Sequence, residues 1–167
     1  MADETRRGSE QQTAAVQEPR WLDDHEQSVW RSYLYVMRLL NERLQRQLVE
    51  DSDLSLAEYD ILVHLSEASG RSLRMSELAE RVVNSRSRLT HTAARLESRG
   101  LVIRETCPDD GRGVLCRLTE EGFAILDAAA PGHVEAVREA LFDPLTVEQV
   151  AALGEVMALL RARLREL

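Results

Sequence analysis

Between residues 85 and 95 the chain gathers groups suited to anions and base edges: Ser85-Arg86-Ser87-Arg88, then Thr90, His91 and Arg95. Short hydroxyls let a backbone come close to a charged polymer and donate hydrogen bonds to it, and the planar guanidinium fork fits a phosphate or a guanine edge. A second group follows at Asp110-Gly111-Arg112. An arginine is drawn into a narrow minor groove, where negative potential is concentrated. A carboxylate two residues before it can hold the guanidinium in place by a charge-assisted hydrogen bond. This is the chemistry of polyanion recognition. For bond-making chemistry there is no support, since no glycine-rich phosphate loop, nucleophile elbow or HExxH occurs. The acid pairs Asp23-Asp24 and Glu120-Glu121 fall at expected helix starts, where the helix dipole accounts for them.

The overall charge of −8 argues at first against a polyanionic partner. Its distribution reverses that reading. Residues 71–119 hold ten arginines against six carboxylates, a net of +4, so the rest of the chain carries −12. A basic middle in an acidic body is the pattern of a local phosphate-binding face. All 21 basic residues are arginine, for which genome composition is the plain explanation.

These groups need elements to hold them. Residues 1–20 are polar and without periodicity, and read as a flexible or disordered tail. From Asp23, Trp30, Tyr33, Met37, Leu40, Leu44 and Leu48 recur at spacings of three and four, predicting a long helix that stops near Asp51-Ser52-Asp53. Ser55-Leu-Ala-Glu58 is a capping box opening a second helix, which Gly70 is expected to end. A short helix follows from Met75 to Val82. After a turn, another runs from Ser85 to Arg99 with Leu89, Ala93 and Leu96 on its inner side. The period then changes. Leu101-Val102-Ile103 and Val114 to Leu118 are β-prone around a Pro108–Gly113 turn, predicting a two-stranded hairpin with a charged tip. Thr119 caps the next helix, which Pro131-Gly132 should kink or break. Thr146 caps a last helix carrying Val150, Leu153, Met157, Leu160, Leu164 and Leu167.

The expected fold is therefore mostly α with a small β-hairpin wing. A winged helix-turn-helix domain at 55–119 would lie between a dimerisation helix at 21–54 and C-terminal dimerisation helices at 120–167. One protomer has little left to cover the apolar stripes of the terminal helices, so self-association into a two-fold homodimer is expected, with Leu153, Met157, Leu160 and Leu164 in the seam.

Met75 to Thr90, then Arg95 to Arg104, then Asp110-Gly-Arg-Gly-Val-Leu-Cys-Arg-Leu-Thr119 together resemble the MarR family of transcriptional regulators. The likeness runs from about Trp30 to the C-terminus and is most specific over 76–122, where Asp110, Arg112, Leu118 and Thr119 match the wing signature. It implies a winged helix-turn-helix dimer on double-stranded DNA at a palindromic operator. Ser85, Arg86, Ser87, Arg88, Thr90, His91 and Arg95 would then sit on the major-groove helix, and Asp110 and Arg112 on the wing. It also implies a small, often aromatic and anionic, effector bound between the dimerisation helices and the DNA-binding lobe, where Trp30, Tyr33, Arg38, Tyr59 and His64 are candidates. Each of these is also an ordinary core or interface residue, and His64 on an apolar face reads as a satisfied buried histidine. So small a dimer is expected to repress by occlusion.

Cys107 and Cys116 flank the wing tip and offer a redox route, in which a disulfide would distort the hairpin. Two cysteines otherwise fit a reducing compartment. No apolar run reaches the roughly 20 residues that span a bilayer, and no apolar stretch follows Arg6-Arg7, so a cytoplasmic protein is expected. His25, His64, His91 and His133 lie scattered, so neither a metal nor a cofactor is expected. The rival reading is a winged-helix module that binds protein and not DNA.

Overall fold

Side-chain caps, two of them reciprocal, fix where three of the helices begin. Ser55 Oγ accepts from the Glu58 backbone N–H while the Glu58 carboxylate accepts from the Ser55 N–H. Thr119 Oγ1 accepts from Gly122 N–H at 2.9 Å, and Thr146 exchanges hydrogen bonds with Gln149 in the same way as Ser55 with Glu58. The computed structural model describes residues 19–82, 86–107 and 113–166. Its elements are α1 (Asp24–Ser52), α2 (Leu56–Ser66), a 3-10 turn (Ser69–Arg71), β1 (Ser72–Arg74), α3 (Met75–Arg81), α4 (Arg86–Ser98), β2 (Val102–Thr106), β3 (Val114–Leu118), α5 (Glu120–Val137), a π-helical turn (Arg138–Phe142) and α6 (Val147–Glu166).

Two compact units are distinguished, one ending at Leu34 and the other beginning at Tyr35, within helix α1. In the first, Asp23 and Glu26 cap the helix reciprocally, and the rings of Trp30 and Tyr33 stack with centroids 5.9 Å apart. In the second, one core joins Leu48 of α1, Ile61, Leu62 and Leu65 of α2, Leu78 of α3, Leu89 and Leu96 of α4, Val102, Cys116 and Leu118 of the sheet, and Leu126 and Ala129 of α5. These are the inward positions of the apolar patterns in the sequence, here brought onto one another.

The wing is a three-stranded antiparallel sheet in the order β1-β3-β2. The sequence predicts only β2 and β3. The added strand is three residues long, with Leu73 opposite Cys116 and Ser72 opposite Arg117. It covers one edge of β3 and fastens the start of α3 to the wing. Gly100, at φ +73, closes α4 in the left-handed conformation that glycine adopts without strain. Gly122 is needed for closeness, since a Cβ there would run into the Leu101 carbonyl oxygen.

Two expectations are corrected. Helix α2 ends at Ser66, with the Glu67 N–H returned to Val63 and Leu65 carbonyls. Gly70 instead lies in the following 3-10 turn with φ +62, beside Arg71 at φ +51. Pro131 does not break α5, which runs through it to Val137. Proline removes one helical hydrogen bond, but Ala129 and Ala136 are buried on either side of it and hold the helix against the core. The irregularity comes after it, in the π-helical turn, where the Asp143 N–H reaches back to the Arg138 carbonyl at 2.8 Å.

Candidate nucleic-acid interface

Helix α4 has two faces of opposite character. Leu89, Ala93 and Leu96 are buried at spacings of four and three, while Ser87, Arg88, Thr90, His91 and Arg95 are exposed. Alternation at 3.6 residues per turn dictates this division. Arg86 opens the helix. Ser85, Asp110 and Arg112 lie outside the described residues.

Two carboxylates hold α4 in place. Glu58 of α2 is 1% exposed, and its Oε2 accepts from the Ser55 N–H at 2.8 Å and the Ser55 hydroxyl at 2.6 Å. Its Oε1 lies 2.9 Å from Arg95 Nη2 and 3.7 Å from Arg99 Nη1. Burial would push this carboxyl's pKa up, yet the Ser55 hydrogen bonds and the two guanidinium charges outweigh it, and the pKa is lowered. Arg99 also donates to the Asp53 carbonyl at 2.9 Å. Toward the wing, Glu97 of α4 accepts the Arg104 backbone N–H at 3.0 Å and takes Arg104 Nη2 at 2.6 Å and Nε at 3.0 Å. Those bonds hold the Glu97 carboxyl below the usual carboxylate range. The helix is thus tied by ions to α2 on one side and to β2 on the other. Arg95, placed by its periodicity on the outward face, is also half of an internal ion pair.

The other candidate residues fall in different places. Tyr59 is buried, its ring 4.4 Å from that of His133. Both line a cavity of about 650 Å³ with Asn41, Gln45, Asp60 and Val63. Arg38 lies over the Tyr35 ring at 5.2 Å, and Trp30 and Tyr33 stack on each other in the first unit. His64 is half-buried rather than enclosed and faces Asp60 at 3.6 Å, because its position on α2 is at the edge of the buried stripe. His133 had no motif of its own in the sequence. Its signal was register: it continues the stripe Leu126, Ala129, Ala136 on the inner face of α5.

Cys107 and Cys116 are both buried and both free thiols. Cys116 pairs with Arg104, whereas the Cys107 N–H bonds the Gly113 carbonyl. At about 3.3 Å per residue the two are about 10 Å out of register, beyond the ~7 Å a disulfide tolerates. Burial pushes the Cys116 thiol up to about 11, against the pull of Arg104. On α6, Met157, Leu160 and Leu164 are exposed, Leu153 is half-buried, and the helix has no buried residue. Among the described residues no cluster of His, Cys, Asp and Glu is placed to hold a metal ion, and no helix is long and apolar enough to cross a membrane.

The family model described as the MarR family matches residues 52–113, from the end of α1 to the wing. Sco3205 of Streptomyces coelicolor, a MarR family transcriptional regulator whose crystal structure is a complex with DNA, is 51% identical, with a TM-score of 0.83 over 86% of this chain and 90% of that one. The chain belongs to the MarR family. AbsC of the same organism is 40% identical, with a TM-score of 0.83 over 89% of this chain and 100% of that one. The HTH-type transcriptional regulator PecS of Dickeya dadantii is 31% identical over 66% of this chain and 67% of its own length. The chain is accordingly a MarR-family DNA-binding transcriptional regulator with a winged helix-turn-helix, and not an enzyme. Helices α3 and α4 are the two helices of that helix-turn-helix, and β2 and β3 pair in its wing.

Proposed function

We propose that two copies join through their terminal helices and bind a palindromic operator in the cytoplasm, repressing transcription by occlusion. The observation that carries this reading is the pair of opposed surfaces on one protomer. The polar outer face of α4 suits a major groove, and the apolar stripe of α6 has nothing of the protomer laid over it among the described residues. A dimer covers the second and sets two copies of the first about one duplex turn apart. The DNA in the Sco3205 structure supports the same use for this chain. Ser85 to Arg88, Thr90 and His91 would meet base edges and phosphates, and Arg112, oriented by Asp110, would enter the minor groove.

A gel-shift titration against the protein's own promoter region, run over a salt series, tests this. Binding should weaken steeply as salt rises. Arg112→Ala should lower affinity by about tenfold to a hundredfold with the melting temperature unchanged. Indifference to duplex DNA at low ionic strength would rule the reading out and leave the protein-interaction module.

The effector site we propose is the Tyr59–His133 cavity, which joins a phenol, an imidazole and the Asp60 carboxyl with the apolar side chains of Leu56, Ala57 and Val63 around a space for a small aromatic ligand. A thermal-shift screen of phenolic acids should find a ligand that raises the melting temperature, and Tyr59→Ala should abolish that rise. The strand register counts against control through a Cys107–Cys116 disulfide.

A further inference from the structure

We infer that Glu58 is a positioning residue for DNA binding, its carboxylate setting the attitude of the recognition helix through Arg95 and Arg99. This deepens the proposed function and rests on it.

Glu58 is the third helical residue of α2, and a capping box explains why a carboxylate is there. A cap accounts for only one of its oxygens. Oε2 receives both Ser55 donors. Oε1 is buried, accepts no directed hydrogen bond, and is turned toward the guanidinium groups of α4. Glutamine serves a capping box as well as glutamate does. The negative charge is therefore surplus to the cap, and a buried charge is costly unless it is paired.

Its partners are placed to control orientation. Arg95 and Arg99 are four residues apart, so they project from one face of α4 and converge on the same oxygen. Around this corner α4 does not pack closely. A cleft of about 420 Å³ opens there, lined by Gln45, Val49 and Ser98 together with the charged groups. Leu89, Ala93 and Leu96 seat the inner face of α4, and at this open corner the ion pairs add the restraint on how far it rolls about its axis. A small roll would swing the exposed face that carries Ser87, Arg88, Thr90 and His91. Arg95 is then an orienting group, although its position on the outer side of the helix suggests a base reader.

Glu58→Gln separates the two roles, since it keeps the cap and removes the charge. The test uses the full-length protein, measuring affinity for its own promoter fragment and for unrelated duplex DNA across a salt series, with melting temperature and oligomeric state followed in parallel. The variant should stay folded with the oligomeric state of the wild type. Its promoter affinity should fall by about tenfold, its affinity for unrelated DNA should hold, and its salt slope should not change. A role in stability alone would leave the ratio of specific to unrelated binding untouched. Arg95→Gln, at an exposed side chain that tolerates replacement, should give the same loss, and the double variant should be no worse than either single one, as two members of one contact require. Promoter binding by Glu58→Gln equal to wild type overturns the inference. So does a fall of about 0.9 in the salt slope of Arg95→Gln, which would mark Arg95 as a phosphate contact. If the wild type itself leaves the promoter fragment unbound, the failure belongs to the proposed function.

Discussion

Helices α4 and α6 are both amphipathic, and the protomer treats them in opposite ways. Over 13 residues α4 buries Leu89, Ala93 and Leu96 almost completely and is tied at both flanks by carboxylates. Over 20 residues α6 buries nothing, and Leu164 remains 70% exposed. An apolar stripe declares that a helix has a face to cover, but not what covers it. For α4 the cover is α2, α3 and the sheet of the same chain. For α6 no cover is found among the described residues, and the proposed second copy would supply it across the exposed leucines.

The largest effect follows from breaking α6. Met157→Glu combined with Leu160→Glu puts two charges in the middle of the stripe. Sedimentation should show a monomer, and promoter affinity should fall by about 10³-fold or more, toward the level of unrelated DNA. The circular dichroism of the winged helix should persist, because no core residue is touched. A double variant that remained dimeric would erase the contrast between the two helices.

A smaller and sharper test compares one leucine from each. Leu96→Ala opens a cavity in the core and should cost about 2–5 kcal/mol in urea unfolding, independent of protein concentration. Leu164→Ala should cost less than that, and its cost should depend on concentration, since the contact it removes belongs to the assembly. Equal and concentration-independent losses would mean that α6 is supported within the protomer.

What the sequence made legible follows the same division. The caps at Ser55 and Thr119, the inward leucines of α4 and the two long wing strands depend on neighbours within a few residues, and pattern finds them. Strand β1 escaped because three residues cannot display a period, and its pairing is with β3, more than 40 residues on. Pro131 misled because local propensity forbids what the packing of Ala129 and Ala136 maintains. Glu58 was hidden by being already explained. Once the capping box accounted for it, nothing local pointed to Arg95, 37 residues away. Of the candidate interface the polar face of α4 was legible, but the pairing that claims one of its arginines was not.

His133 supplies the finest probe of the contrast, because it sits on α5, the helix that leads from the packed body toward α6. Its ring lies on Tyr59 and its Nδ1 is 3.3 Å from Gln47 Oε1, while Gln47 Nε2 donates to Asp51 at 2.9 Å. Asp60 lines the same cavity, its own carboxyl pKa raised by burial against the pull of His64. Burial lowers the His133 pKa from the ordinary value of about 6.5. The folded state therefore favours the neutral ring, and its contribution is fully present above that value and lost as pH falls through the depressed folded one. Thermal melts of the wild type from pH 7.5 downward should show a stability loss that His133→Asn reduces. Since α4 is held by Glu58 and Glu97 and not by His133, unrelated-DNA binding by the folded protein should carry no His133-dependent component over the same range. If His133→Asn altered that binding, α4 and α5 would be coupled, and the body that holds α4 would extend further toward the proposed dimer seam than its packing implies.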